Sequence, residues 1–313
     1  MSQVAAVCSS CSRKEPFFHR IYSGERLCKR CFIESIEEKV RATIAKHKML
    51  DFNDRIAVAI SGGKDSLSLL TILAKMERKY PRAKLVAVTV DEGIQGYRDE
   101  AMQIAEQICK RLSIEHYRVS FKQLYGFTMD EIVERIRERG INLTPCSFCG
   151  VLRRKALNLA AIEAKANKIA TGHTLDDEVQ TSLLNIFHGD LSKLYAEKPV
   201  TDSIHPRLVQ KVKPFCEVPE RESALYAYVK NIAFQSTPCP YAGEAMRNDI
   251  RSLLNRMEER HAGTKYTVYK SIEKLRPALV GVMEKGEFHR CWECGEPSAG
   301  DLCMACKLLR LIC

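Results

Sequence analysis

Between Ser61 and Ser66 the chain reads SGGKDS, directly after the apolar run RIAVAI. Adjacent glycines let a backbone turn tightly and approach a ligand with no Cβ in the way. Amides opening the helix behind such a turn point at an anion, and the helix dipole assists them. Lys64 adds positive charge, and the hydroxyls of Ser61 and Ser66 can donate to phosphate oxygens. A structural turn explains Gly62 and Gly63, but not the serines and lysine around them. The spacing is not the Gly-x4-Gly-Lys-Ser/Thr of a Walker A loop. The stretch therefore predicts a phosphate-binding loop of a different design.

Two other turns carry polar groups at apparent strand ends. In TGHTLDDE, residues 171–178, Gly172 permits the turn and Thr174 can cap the next helix. Asp176 and Asp177 supply paired carboxylates suited to magnesium or to proton transfer. Acids in a helix's first turn also simply oppose its dipole, which is the plain structural alternative. Asp91, in VDEG at 90–93, is either a second site residue or an ordinary turn aspartate.

Fourteen cysteines are present, and ten form five Cys-x-x-Cys pairs. Such pairs in a cytosolic chain are more often metal ligands than disulfides. Cys8, Cys11, Cys28 and Cys31 give one four-ligand set, and Cys291, Cys294, Cys303 and Cys306 give another. Each predicts a closed, tetrahedral, structural zinc site. His19 is a weaker substitute ligand for the first. Cys146 and Cys149, in TPCSFCG, and Cys239, in STPCPYAG, form a third group. Three thiolates suit an open zinc, a disulfide with a spare thiol, or a 4Fe-4S cluster, and spacing alone leaves these open. Cys109 and Cys216 read as buried packing thiols, and His116, His188, His205 and Trp292 as ordinary structural residues.

The elements that must position these groups follow an alternating pattern. Strands at 56–60, 85–90, 116–119 and 168–173 are separated by helical stretches, which implies βαβ units and a parallel sheet. Ligands of such sheets bind at the carboxyl ends of the strands, where the order switches. The predicted organisation is a first zinc module over 1–35, a basic linker helix over 36–54, a catalytic domain over 55–286 and a second zinc module over 287–313. The net charge of +10 allows a polyanionic partner, although two tetrathiolate zinc sites would each remove about two charges. The basic helix and both zinc modules are candidates to contact RNA phosphates. The start, MSQVAAVCSSC, has no basic leader and no long apolar run follows. The expectation is a cytoplasmic protein with no membrane partner.

Taken together, SGGKDS, GHTLDDE, the Cys-x-x-Cys with its distal Cys-Pro, and zinc modules at both ends resemble the tRNA 2-thiouridine synthetases of the PP-loop ATPase superfamily. The resemblance spans essentially the whole chain and is strongest toward the cytoplasmic tRNA 2-thiolation proteins. It implies a Rossmann-like α/β fold with a parallel sheet, of the adenine nucleotide alpha hydrolase type. It implies ATP bound by Ser61, Gly62, Gly63, Lys64, Asp65, Ser66, Asp91, Gly172, His173 and Asp177, with Mg2+. Lys64, Asp176, Asp177 and the three cysteines would carry the chemistry. Cys146, Cys149 and Cys239 would hold an oxygen-sensitive 4Fe-4S cluster whose fourth iron lacks a protein ligand. A tRNA uridine would be adenylated at O2, releasing pyrophosphate, and sulfide would then displace AMP.

CGVLRRKAL and the C-terminal module look closer to the wobble-modifying members of that family, so the resemblance implies the anticodon wobble uridine, with the T-loop uridine as the alternative. A cluster-free persulfide route, a tRNA-lysidine synthetase and a non-catalytic zinc RNA-binding protein are the rival readings. The sulfur donor would be free sulfide or a thiocarboxylated ubiquitin-like protein, and the assembly a homodimer.

Overall fold

The computed structural model describes residues 7–241, 246–282 and 289–313. The first elements are a hairpin of β1 (Phe18–Arg20) and β2 (Glu25–Leu27), then α1 (Lys29–Lys46). Next come β3 (Arg55–Ala59), α2 (Lys64–Glu77), β4 (Lys84–Asp91), α3 (Arg98–Leu112) and β5 (Glu115–Ser120). They are followed by α4 (Phe121–Tyr125), α5 (Met129–Glu138), α6 (Pro145–Glu163), β6 (Lys168–Thr171), α7 (Leu175–Phe187), α8 (Leu191–Ala196) and β7 (Gln210–Val212). The remainder is helical, with α9 (Glu220–Val229), α10 (Met246–Arg260), α11 (Thr264–Leu275) and a 3-10 turn at Arg276–Val282, before a last hairpin. That hairpin pairs β8 (His289–Arg290) with β9 (Pro297–Ser298), and α12 (Met304–Ile312) closes the chain.

Five strands form one sheet in the order β5-β4-β3-β6-β7, every pair parallel. The central strands are apolar on both faces, as a sheet covered on both sides requires. One core packs α1, α2, α3, α7, α9, α10 and α11 on one face. The other packs α5, α6 and α12 on the opposite face. The chain moves from β3 outward to β5, then returns to β6 on β3's other side. The order therefore switches between β3 and β6, which is where such a sheet opens a ligand crevice.

The linker helix starts earlier than its sequence pattern indicated. Cys28 is its N-cap, Cys31 lies in its first turn, and Phe32, Ile36, Val40 and Ile44 form its buried stripe. The predicted zinc module and linker thus share one helix. The boundary placed at 286/287 lies outside the described residues. Among the described residues no helix is long and apolar enough to cross a membrane.

Candidate functional site

SGGKDS forms the turn between β3 and α2, with Gly63 as the helix N-cap. Gly62 has φ +85°, and a Cβ there would stand 2.7 Å from the Ala101 Cβ. The Ser61 amide donates to the Ser66 hydroxyl at 3.1 Å, and that hydroxyl donates to the Gly63 carbonyl at 3.0 Å. Lys64 Nζ lies 3.0 Å from Asp65 Oδ2 and 2.8 Å from Glu220 Oε1. Burial raises the Asp65 carboxyl, against the pull of Lys64, and Asp177 raises it further. Its Oδ1 is buried and makes no hydrogen bond of good geometry, although the Ser223 hydroxyl lies close enough to lower the carboxyl's pKa.

GHTLDDE is the turn from β6 into α7, on the other side of the switch point. A Cβ on Gly172 would lie 2.9 Å from the Ser66 amide nitrogen, so the two motif turns touch backbone to backbone. Thr174 and Asp177 form a capping box, Asp177 Oδ2 accepting from the Thr174 amide at 2.9 Å. His173 is exposed, its Nδ1 against the Thr171 hydroxyl at 2.8 Å. Asp176 is buried, where it accepts the Glu220 amide at 2.7 Å and pairs with Lys265. It holds the start of α9 and, with Lys64, lines a cavity of about 520 Å³. No cysteine of the trio lines that cavity. Asp91 accepts the Gly93 amide at 2.8 Å, the turn geometry weighed as its plainer role.

Cys146 and Cys149 sit one turn apart at the start of α6, behind Pro145 in the first helical position. Proline there needs no amide partner and presets the helical φ. Cys239 follows α9 in a segment outside any helix or strand, and the Tyr241 carbonyl lies 3.5 Å from Cys146 Sγ. Cys239 lies near enough to both other thiols to raise their pKa values, and burial is the larger cause, taking Cys149 to about 11. Cys146 is exposed, and the other two are half-buried.

The phosphate loop and this trio are joined along two routes. In the first, the Gln235 amide donates to the Gly62 carbonyl at 2.9 Å, and the chain runs directly on to Cys239 and Tyr241. Gln235 Nε2 also donates to the Tyr97 carbonyl. In the second, the Ser61 carbonyl accepts from Arg98 at 2.9 Å. Arg98 in turn pairs with Glu92, which accepts from Arg153 Nε at 2.5 Å, and Arg153 Nη2 donates to Cys149 Sγ at 3.1 Å. Glu92 and Arg98 were not singled out by the sequence pattern. A charged pair just beyond a buried strand, in VDEG, was the available signal.

Two groups of four cysteines gather their sulfurs within 4.8 Å, and they are the two sets read from spacing. In the first, Cys11 and Cys28 are 4.0 Å apart, and the Cys28 amide is the main cause lowering Cys8 to about 6. His19 belongs to neither group. In the second, Cys294 and Cys303 are 3.7 Å apart. Zinc at roughly 2.3 Å from four sulfurs places them about 3.8 Å apart, so both sets fit one ion. Cys146, Cys149 and Cys239 do not meet this tighter spacing. Cys109 and Cys216 are fully buried, as expected of packing thiols. Trp292 is 62% exposed, with the Arg310 guanidinium 4.2 Å over its ring.

Residues 33–258 match the PP-loop domain family. The tRNA 2-thiolation protein NcsA of Haloferax volcanii is 37% identical, over 97% of this chain and 98% of that protein. The cytoplasmic tRNA 2-thiolation protein 1 of Chlamydomonas reinhardtii is 38% identical, over 97% of this chain and 84% of its own. Among solved structures, the U34-tRNA thiolase NcsA from Methanococcus maripaludis, described with its 4Fe-4S cluster, superposes with a TM-score of 0.85 at 34% identity. That superposition covers 98% of this chain and 97% of the other. With its order-switch crevice, its phosphate loop and its cysteine sets in place, the chain belongs to the PP-loop family of tRNA 2-thiolation proteins.

Proposed function

We propose that this chain is a cytoplasmic ATP-dependent tRNA sulfurtransferase that converts the anticodon wobble uridine to 2-thiouridine. The observation that carries the reading is the double link between the phosphate loop and Cys146, Cys149 and Cys239. An activated uridine and its incoming sulfur must meet in one cleft, and these links hold the two half-sites together. The relatives' names supply the tRNA and the thiolation, and the description of the Methanococcus maripaludis enzyme supplies the position and the cluster.

In this reading the amides around Gly62 and Gly63 receive the ATP phosphates, and Lys64 leaves Glu220 to neutralise them. Asp65, with Asp177 nearby, would hold a magnesium ion, which would supply positive charge to the phosphates. Asp91, Gly172 and His173 complete the nucleotide-facing rim. Asp176 fixes α9 and so positions Glu220 opposite Lys64. The α-phosphate is then presented to uridine O2, and AMP becomes the leaving group.

The three thiols of Cys146, Cys149 and Cys239 are a donor set suited to a 4Fe-4S cluster, and Cys146 is exposed. When bound, that cluster supplies a soft metal position without a protein ligand for the incoming sulfur. The two four-cysteine sets hold zinc and brace the ends of the catalytic domain. Buried Arg20 grips Glu222 of α9 through Nε at 3.1 Å and Nη2 at 2.9 Å, so the first module docks on the helix beside Lys64. The sulfur comes from free sulfide or a thiocarboxylated ubiquitin-like protein, and the working assembly is a homodimer. Pyrophosphate release from ATP that depends on added unmodified tRNA tests the activation step. Release that is indifferent to tRNA, or absent, rejects it.

A further inference from the structure

Glu92 follows β4 and is 3% exposed, and Arg98, which opens α3, is 4% exposed. Arg98 Nε stands 2.7 Å from Glu92 Oε2, although out of line for a hydrogen bond. Arg98 Nη2 donates to the Val90 carbonyl at 2.7 Å, and Nη1 to the Ser61 carbonyl at 2.9 Å. From the opposite side Arg153 Nε donates to Glu92 Oε1 at 2.5 Å, while its Nη2 reaches Cys149 Sγ at 3.1 Å. One buried carboxylate therefore holds two guanidiniums, each of which ends on a different half of the site.

Stability alone explains this poorly. Buried charged triads are often no more stable than apolar residues of the same volume, because desolvation offsets their attraction. Their geometry is nevertheless stringent, since a planar guanidinium bound at two points has little freedom left. A single bulky apolar residue at 92 fills the space equally well, but fixes neither arginine.

We propose that Glu92 is a positioning residue that sets the phosphate loop and the Cys149 sulfur in register, acting through Arg98 and Arg153. Through Arg98 it preorganises the Ser61 end of the loop for nucleotide. Through Arg153 it supplies a hydrogen bond to a ligand sulfur, the kind of contact that tunes an iron–sulfur centre. The second arm rests on the cluster assignment proposed above, and the first does not.

The test compares the full-length wild type with two variants. Glu92→Gln keeps the shape and removes the charge, and Arg153→Met alters a side chain that is half-exposed. MgATP is titrated into each cluster-free protein, and the midpoint potential of each anaerobically reconstituted protein is followed by EPR. Glu92→Gln is expected to bind ATP about tenfold more weakly through lost preorganisation, and to shift its cluster to a more negative potential at unchanged iron content. Arg153→Met is expected to reproduce the potential shift with nearly normal ATP affinity. If Glu92→Gln does not fold, the same potential shift in Arg153→Met supports the sulfur arm, and its absence overturns the proposal. Unchanged ATP affinity and potential, with only a lowered melting temperature, would leave Glu92 a structural charge. A wild type that takes up no iron fails the cluster assignment instead, and the ATP titration of Glu92→Gln then decides the proposal.

Discussion

Gly172 faces the first turn of α2 so closely that a Cβ on it would lie 2.9 Å from the Ser66 amide nitrogen and 3.0 Å from the Asp65 carbonyl carbon. Both near atoms are backbone, so neither can swing aside. Gly172→Ala should push β6's turn away from the phosphate loop. The expected loss is about 2 kcal/mol of stability, together with weaker ATP binding. Thermal unfolding and an ATP titration of the same variant check both. A variant with wild-type melting and affinity would mean that the two turns are not coupled.

Lys64 is tied to Glu220 at 2.8 Å, 156 residues further along the chain. Nucleotide must take the lysine from that partner. Lys64→Met should lower the rate of tRNA-dependent pyrophosphate release by about 100-fold, the usual effect of losing one donor to a developing charge. Glu220→Gln removes the competitor and should retain the activity. Stopped assays of pyrophosphate for the two variants separate phosphate binding from mere support of α9.

The fold and the phosphate loop were legible because both are local. The alternation of apolar runs and helices, and SGGKDS itself, need only neighbouring residues. The two four-cysteine sets were legible for the same reason, since Cys-x-x-Cys knuckles carry their geometry in their spacing. Glu92 was missed because its partners, Arg98 and Arg153, are 6 and 61 positions away and meet it only through β4, α3 and α6. The start of α1 was misjudged because a cysteine of the first four-cysteine group, rather than a serine or aspartate, occupies its N-cap. The exposure of Trp292 is likewise a matter of where the last hairpin docks, which no local pattern encodes.

Lys155 lies two turns beyond Cys149 on α6, and its Nζ is 3.1 Å from Cys294 Sγ, 3.8 Å from Cys303 and 4.0 Å from Cys306. A tetrathiolate zinc carries net negative charge, and this lysine would offset it from the helix that bears Cys146 and Cys149. Lys155→Met should weaken zinc retention at the C-terminal set by roughly 10- to 100-fold, as outer-shell losses do. A chromogenic chelator competition reads this directly. One rapidly released zinc against one slow is expected, and two slow ones would reject it.

Glu217 sits between the end of α1 and the start of α9, accepting from Lys46 at 2.5 Å and paired with His47 at 3.3 Å. His47 foremost, then Lys46, lower its carboxyl to about 2 against the effect of burial. A carboxyl depressed in the folded state stabilises it above the unfolded value of about 4.3. That contribution is lost as the pH falls toward 2. Between pH 5 and 2 the wild type should therefore lose more stability than Glu217→Gln, measured by urea unfolding at each pH. Parallel curves would show that this contact contributes nothing.

Sulfur content of tRNA nucleosides, read by mass spectrometry after anaerobic incubation with ATP and sulfide, tests the central claim most directly. Iron-loaded wild type should yield 2-thiouridine at the wobble position of the anticodon, and Cys239→Ala should yield none and lose its brown absorption. Thiolation by Cys239→Ala at the wild-type rate, or no thiolation by fully iron-loaded wild type, would contradict the account.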